Sequence, residues 1–237
     1  MPYGLIYRIR YKEDSGEIIR VLIYKTSTFD GGATTSYVDL KAVKSGVRIS
    51  VLNNDRNKFS PIYAKVAEIQ IKSTSTVTAR TFAEGGDDEW LVEISVESTG
   101  YMLFKGYLVM DDHQQAFLPL TTYSFKLTAT DNLGTLKDVE LTNYLGTRIS
   151  GKNTILQYVL WALSKTGLGM NVVVTTTWME ESRTYFDCPW TNIFLDHKTF
   201  EKDINEKVDC YRALQIILTY HCCSVSYTHL RAHETRH

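Results

Sequence analysis

Residues 101–139 read YMLFKGYLVMDDHQQAFLPLTTYSFKLTATDNLGTLKDV, and this stretch decides the fold class. Tyr101 to Leu108 is strand-like and ends at the polar pair Asp111-Asp112. In the second run Tyr123, Phe125, Leu127 and Ala129 alternate with Ser124, Lys126, Thr128 and Thr130. A period of two places one set against a core and the other toward solvent or a partner. Asp131-Asn132 stops the run, because short polar side chains bond their own backbone and nucleate turns. Leu133, Leu136 and Val139 follow at helical spacing, so a short helix is expected there, capped by Thr130 or Asp131.

Working outward, the same logic extends to both sides. Glu89–Glu97 alternates Trp90, Val92, Ile94 and Val96 with Leu91, Glu93, Ser95 and Glu97. Ser98-Thr99-Gly100 then makes a tight connection, so 89–109 reads as a hairpin. Leu5, Tyr7, Ile9 and Tyr11 alternate with Arg8, Arg10 and Lys12, and a Glu13–Gly16 turn leads into EIIRVLIYK at 17–25. That turn exceeds two residues, so a bulged hairpin is expected. Residues 26–46 read as loop around Asp30-Gly31-Gly32, Val47–Leu52 as a short strand, Tyr63–Ile71 as a strand, and the Thr-rich 74–81 as an edge strand. About eight strands at short spacing argue for a mainly β, antiparallel sandwich or barrel-like domain over residues 1–142.

After residue 142 the composition changes. Residues 143–152 read as a linker. Ile155, Leu156, Val159, Leu160 and Leu163 lie on one helical face behind a cap at Asn153 or Thr154, giving a helix at about 153–165 that Gly167 and Gly169 end. Met170–Thr177 reads as a strand. A second helix is expected at about 205–220, with Val208, Leu214, Ile217 and Leu218 inward. Residues 143–225 are therefore a smaller α+β domain.

Composition narrows the function classes. A net charge of −1 gives no reason to expect a nucleic-acid surface, which normally needs a basic patch. No apolar run reaches the length of a membrane span. The first strand carries Arg8 and Arg10, unlike a signal peptide. Cys188, Cys210, Cys222 and Cys223 all lie in the last fifty residues, which is no disulfide framework and suits reduced thiols in a cytoplasm.

Chemistry-bearing groups are weighed against plainer readings. Cys222, Cys223, His229 and His233 lack zinc-ligand spacing, since adjacent cysteines do not readily face one metal. Asp111, Asp112 and His113 read as turn formers, and Asp87-Asp88-Glu89 likewise. Neither Gly-x-Ser-x-Gly nor His-Glu-x-x-His occurs, and no glycine pair is followed by the Lys-Ser/Thr of a phosphate loop. His197 and His221 are isolated and read as structural. No catalytic, cofactor or metal site is expected. One surface remains as a candidate for binding or subunit contact: Trp178, Tyr185, Phe186, Trp190 and Phe194, clustered about Pro189. Its plainer reading is coverage of a core or an interface.

Two motifs carry a resemblance. Phe104-Lys105-Gly106-Tyr107-Leu108 with Ala129-Thr130-Asp131-Asn132-Leu133-Gly134 in the first part, and Asp209–Leu218 later, resemble the N-terminal region of phage and prophage tail-hub or baseplate proteins. The usual Asp-Gly-Leu-Gly turn stands here as Asp131-Asn132-Leu133-Gly134, and Asn tolerates the left-handed geometry such a Gly would supply. The resemblance implies a structural virion component, not an enzyme. It also implies assembly with itself as a ring, a trimer, and with other tail proteins, in a virion tail made in a bacterial cytoplasm. The alternative is a carbohydrate-binding or adhesive β-sandwich. Residues 226–237, from SYTHLRAHETRH, resemble a translated sequencing-adapter string, so the chain reads as an N-terminal fragment with a non-native tail.

Overall fold

The computed structural model describes residues 3–13, 15–26, 37–52, 61–72, 74, 76–83, 86, 88–109, 114–115, 123–169, 172, 189–201, 207–221 and 225–226. Two compact units divide the chain: most of 1–52 and 64–131 form one, and most of 132–225 the other. Among the described residues no helix is long and apolar enough to cross a membrane.

The first unit is mainly β and barrel-like. Its strands are β1 (Tyr3–Lys12), β2 (Ile18–Thr26), β3 (Val38–Leu40), β4 (Ala42–Leu52), β5 (Ile62–Lys72), β6 (Trp90–Val96), β7 (Met102–Leu108), β8 (Gln114–Gln115) and β9 (Ser124–Thr130), with a one-turn helix α1 (Ala79–Phe82) between β5 and β6. The sheet order is β5-β9-β7-β6-β2-β1-β3, with β4 on β5 and β8 on β9. All these pairs are antiparallel except β1–β3, where Tyr7, Arg8 and Ile9 run parallel to Val38, Asp39 and Leu40.

That parallel pair nearly closes the sheet. Residues 38–52 form two strands broken only at Lys41: the first part bonds to β1 and the second to β5, with Ala42 opposite Ile71 and Val47–Leu52 opposite Ile69–Ala64. At the junction the Lys72 amide donates to the Lys41 carbonyl, 2.9 Å. The expected loop over 26–46 is thereby corrected for its described part. Residues 38–40 and 42–46 are strand, and the bulge between Ala42 and Val47 hid their alternation.

The inward sets lie in the interior as predicted, while Leu91, Ser95 and Thr128 of the opposite sets are buried as well. Phe125, Leu127 and Ala129 of β9, Trp90, Val92, Ile94 and Val96 of β6, and Ile19, Val21 and Ile23 of β2 share one core. Full burial of each large side chain contributes roughly 1.5–3 kcal/mol. In β1 the register slips between Leu5 and Tyr7, so Ile6, not Leu5, packs on this core. The expected edge strand at 74–81 is instead a turn leading into α1. The Thr74 hydroxyl accepts from the Val77 amide and the Thr81 hydroxyl from the Thr78 amide, local bonds that compete with strand pairing. The gain is Phe82, fully buried, with ring centroids 5.1 Å from Trp90, 5.3 Å from Tyr7 and 6.0 Å from Phe125.

Strand β9 ends where the sequence says, but its acidic residue acts differently. The Asp131 carboxylate is buried and accepts from the Lys65 amide at 2.8 Å, while the Asp131 amide donates to the Lys65 carbonyl. Leu133, not Thr130 or Asp131, occupies the cap position of the short 3-10 helix Gly134–Asp138, and no side chain caps it. Asn132 adopts φ of 58°, the left-handed turn geometry that Asn tolerates.

The second unit carries β10 (Lys152–Thr154), α2 (Ile155–Ser164), α3 (Pro189–Asn192), β11 (Phe194–Asp196), a 3-10 turn (His197–Phe200) and α4 (Cys210–Tyr220). Thr154 caps α2: its hydroxyl accepts from the Gln157 amide, and the Gln157 side chain accepts from the Thr154 amide. Helix α4 starts at Cys210, not near 205. Asp209 ends the preceding extended segment and accepts from the Arg212 amide at 2.6 Å. Val208 is buried, as expected, but lies before the helix and accepts from the Leu141 amide. The strand expected at 170–177 lies outside the described residues, Val172 excepted.

Gly106 shows how tightly β7 approaches β9. A Cβ there would lie 2.2 Å from the Thr130 carbonyl oxygen and 2.6 Å from the Phe104 ring. Gly106→Ala is predicted to lower stability by about 2–3 kcal/mol, the cost of forced overpacking. Urea unfolding checks this, and a variant within about 0.5 kcal/mol of the parent would contradict the close approach.

Candidate functional site

The described part of the second unit holds one cleft with convergent polar groups, about 470 Å³, lined by Arg148, Ile149, Ser150, Gly151, Asp196, His197, Lys198 and Glu201. Its walls are fixed by pairing. β10 runs antiparallel to β11, with Lys152 opposite Asp196, and the His197 amide donates to the Gly151 carbonyl at 3.2 Å. The Asp196 carboxylate accepts from the Lys198 amide, 3.0 Å, which starts the 3-10 turn. The Arg148 guanidinium donates to Glu201 at 3.1 Å across the cleft.

His197 is the buried titratable group of this wall, 5% exposed. Its ring lies against the fully buried Tyr158 (centroids 6.3 Å) and Phe200 (6.3 Å). Tyr158 is itself held by a bond from its hydroxyl to the Leu195 carbonyl. The His197 Nδ1 is buried without a partner, and Nε2 lies 4.0 Å from Glu201 Oε1. A carboxylate acceptor faces Nε2 and none is bonded to Nδ1, so we assign the proton of the neutral ring to Nε2. Burial pushes the His197 pKa below its ordinary value, and the neighbouring Glu201 carboxylate only partly opposes this.

A second feature is the turn at Asn143–Thr147. The Asn143 carboxamide oxygen accepts from the Leu145 and Thr147 amides (2.9 and 3.0 Å), the Asn143 amide donates to the Thr147 carbonyl, and Gly146 takes φ of 75°. The turn is thus internally bonded, and it holds Tyr144 and Leu145 at 64% and 87% exposure.

The sequence-derived surface is distributed differently. Trp190 is buried, with its ring 6.1 Å from that of His221. Phe194 is exposed on β11. Trp178, Tyr185 and Phe186 lie outside the described residues, as do Cys188, Cys222, Cys223, His229, His233 and the Asp111-Asp112-His113 group. Cys210 is buried, and burial pushes its thiol up to about 12, so it is no nucleophile near neutral pH. Among the described residues no three His, Cys, Asp or Glu side chains come together as a metal site. Arg148, Glu201, Tyr144 and Leu145 escaped sequence reading. Arg148 and Glu201 are far apart in the chain, and the Gly-containing 143–152 segment read as linker. The available signal was Asn143 ahead of Gly146, a side chain suited to bonding its own turn.

No family model, no curated protein and no solved structure matches this chain.

The His197 environment sets a pH dependence. Its folded pKa is lowered, so on acidification the unfolded chain takes up the proton first. Its contribution to stability is therefore complete above the ordinary histidine value of about 6.5 and is lost as the pH falls below it. His197→Gln is predicted to flatten this part of the thermal-midpoint profile between about pH 7.5 and 5. Parallel profiles for parent and variant would contradict the assignment.

Proposed function

We propose that this chain is an assembly module of a phage or prophage tail, part of a tail-hub or baseplate-type structural protein that associates with itself as a trimer and with other tail proteins. The observation that carries an assembly role is the internally bonded 143–147 turn, which holds Tyr144 and Leu145 in solvent. Ordering flexible side chains and loops on binding costs about 0.5–1.5 kcal/mol for each, and a turn already fixed by its own hydrogen bonds avoids much of that. Two large apolar groups on such a turn suit protein contact. The Phe104–Leu108 and Ala129–Gly134 resemblance supplies the tail-hub context.

The β domain supports an assembly role in a second way. Its described strands carry cross-strand ion pairs, Arg8–Asp39, Lys105–Glu93 and Lys126–Glu68. Exposed pairs of this kind add about 0–1 kcal/mol each to stability. Their greater effect is on register and on which neighbouring surface fits.

Light scattering of the full chain over a concentration series tests the proposal. The expected mass is that of a closed oligomer, a trimer. Replacing Tyr144 by Ala and Leu145 by Glu together is expected to weaken association by about 2 kcal/mol or more, as for central interface residues. A monomer at every concentration, or an oligomer indifferent to both substitutions, would refute this role for the turn.

A further inference from the structure

The cleft beside His197 is lined by two cations, Arg148 and Lys198, and two carboxylates, Asp196 and Glu201. Both of its carboxylates are engaged: Asp196 by the Lys198 amide, Glu201 by Arg148. Its cations keep N–H donors available to a ligand. Among the described residues Arg148 makes a single side-chain bond, through Nη2, although a guanidinium offers five donors in a planar fork. Arg148 is also about half exposed, its side chain at 48%. Lys198 and Ser150, both exposed, line the same cleft. The volume, about 470 Å³, is within the range of small-ligand sites.

We propose that this cleft binds a small oxyanion, a carboxylate or a phosphate-type group, with Arg148 and Lys198 as its direct ligands and His197 as a positioning residue acting through Glu201. Planar fork geometry matches either oxyanion and is the strongest recognition element present. The anion competes with Glu201 for Arg148. A Glu201 carboxylate released by Arg148 has a partner at hand, because His197 Nε2 already lies 4.0 Å from Glu201 Oε1. A protonated His197 would hold that carboxylate and leave the guanidinium to the ligand. Anion binding and proton uptake by His197 are thus linked, and the linkage is reciprocal.

The charged groups around His197 set the sign of that linkage. Glu201, Asp196 and Glu140 favour the imidazolium, and Arg148 disfavours it. Glu140 is paired with Lys207 at 3.1 Å, which leaves Glu201 as the nearest acceptor. Drawing Arg148 toward a bound anion leaves Glu201 free to bond the imidazolium, so protonation is easier with the anion in place. Affinity therefore rises as the pH is lowered. The site stands whether or not the chain forms a ring.

The test uses the full chain, with sulfate and acetate as probes, in titrations followed by amide chemical shifts at about pH 7.5 and 5.5. Sulfate keeps its charge over this range and stands for phosphate-type ligands, and acetate stands for carboxylates. Saturable shifts at Gly151 and Lys198 are expected for at least one probe, with tighter binding at the lower pH. Binding by sulfate alone assigns the phosphate-type class, and binding by acetate alone the carboxylate class. Arg148→Gln is expected to weaken binding roughly tenfold, the worth of a charge-assisted hydrogen bond. Lys198→Gln removes an exposed cation and serves as a second variant that retains the fold, with a smaller loss expected. His197→Gln is expected to keep binding at pH 7.5 while abolishing the tightening at lower pH, an effect that a merely structural role would not produce. Absence of saturable shifts with both probes, or binding unchanged in Arg148→Gln and Lys198→Gln, would overturn the proposal.

Discussion

The β unit depends on one seam, where residues 38–40 lie parallel to Tyr7–Ile9 before the chain crosses Lys41 and pairs with β5. Without that seam β1 and β5 would each present a row of unpaired backbone groups, a template for edge-to-edge association. Two contributions hold it. Outside, Arg8 grips Asp39 through two hydrogen bonds, at 2.7 and 3.0 Å, and lies over the Tyr37 ring. Inside, Leu40 is 4% exposed and lies opposite the fully buried Ile9. An ion pair in solvent is worth at most about 1 kcal/mol, whereas a buried leucine is worth roughly 1.5–3 kcal/mol. The apolar side therefore dominates stability, and the Arg8–Asp39 fork selects the register in which Leu40 turns inward.

The rest of the unit is arranged to make that closure possible. Phe82, delivered by a single helical turn, fills space between Tyr7, Trp90 and Phe125 that the strands' own side chains leave. Gly106 lets β7 come against the Thr130 carbonyl, and Asp131 then fixes the end of β9 to Lys65 of β5 through paired backbone and side-chain bonds. The Lys65 side chain is also buried, and burial lowers its pKa while Asp131 opposes the shift. One carboxylate thus serves both the backbone amide and the charge of the same lysine, which explains why an acidic residue ends this strand.

What could be read from the sequence follows from period and locality. The alternation in Trp90–Val96 and Ser124–Thr130 is uninterrupted, so both the strands and their inward faces were legible. The start of α2 was legible to within one residue, as a cap at Asn153 or Thr154; the structure gives Thr154, paired with Gln157. The closing strand was not. Its alternation is broken by the bulge about Gly46, where a Cβ would meet the Val43 and Gln70 carbonyl oxygens, and its parallel partner is remote in sequence. Thr74–Thr81 misled because threonine favours strands on average, but here its hydroxyls bond neighbouring amides. The cleft was illegible for a related reason. Arg148 and Glu201 meet only because β10 pairs with β11, and His197 read as isolated because its acidic neighbours in sequence, Asp196 and Glu201, do not by their spacing alone mark a site. Of the aromatic surface read around Pro189, Trp190 and Phe194 have opposite exposures, a distinction that composition alone does not make.

Amide hydrogen exchange by NMR at the seam tests closure most directly. The amides of residues 38–40 and of Lys72, whose acceptor is the Lys41 carbonyl, are the reporters. Closure predicts that the hydrogen-bonded amides among them exchange through the same large-scale opening as the central β6 amides, with protection approaching that of Val92 and Ile94. Exchange at the rate of an unstructured peptide at Lys72 and across 38–40, with β6 still protected, would mean an open sheet and would contradict the seam.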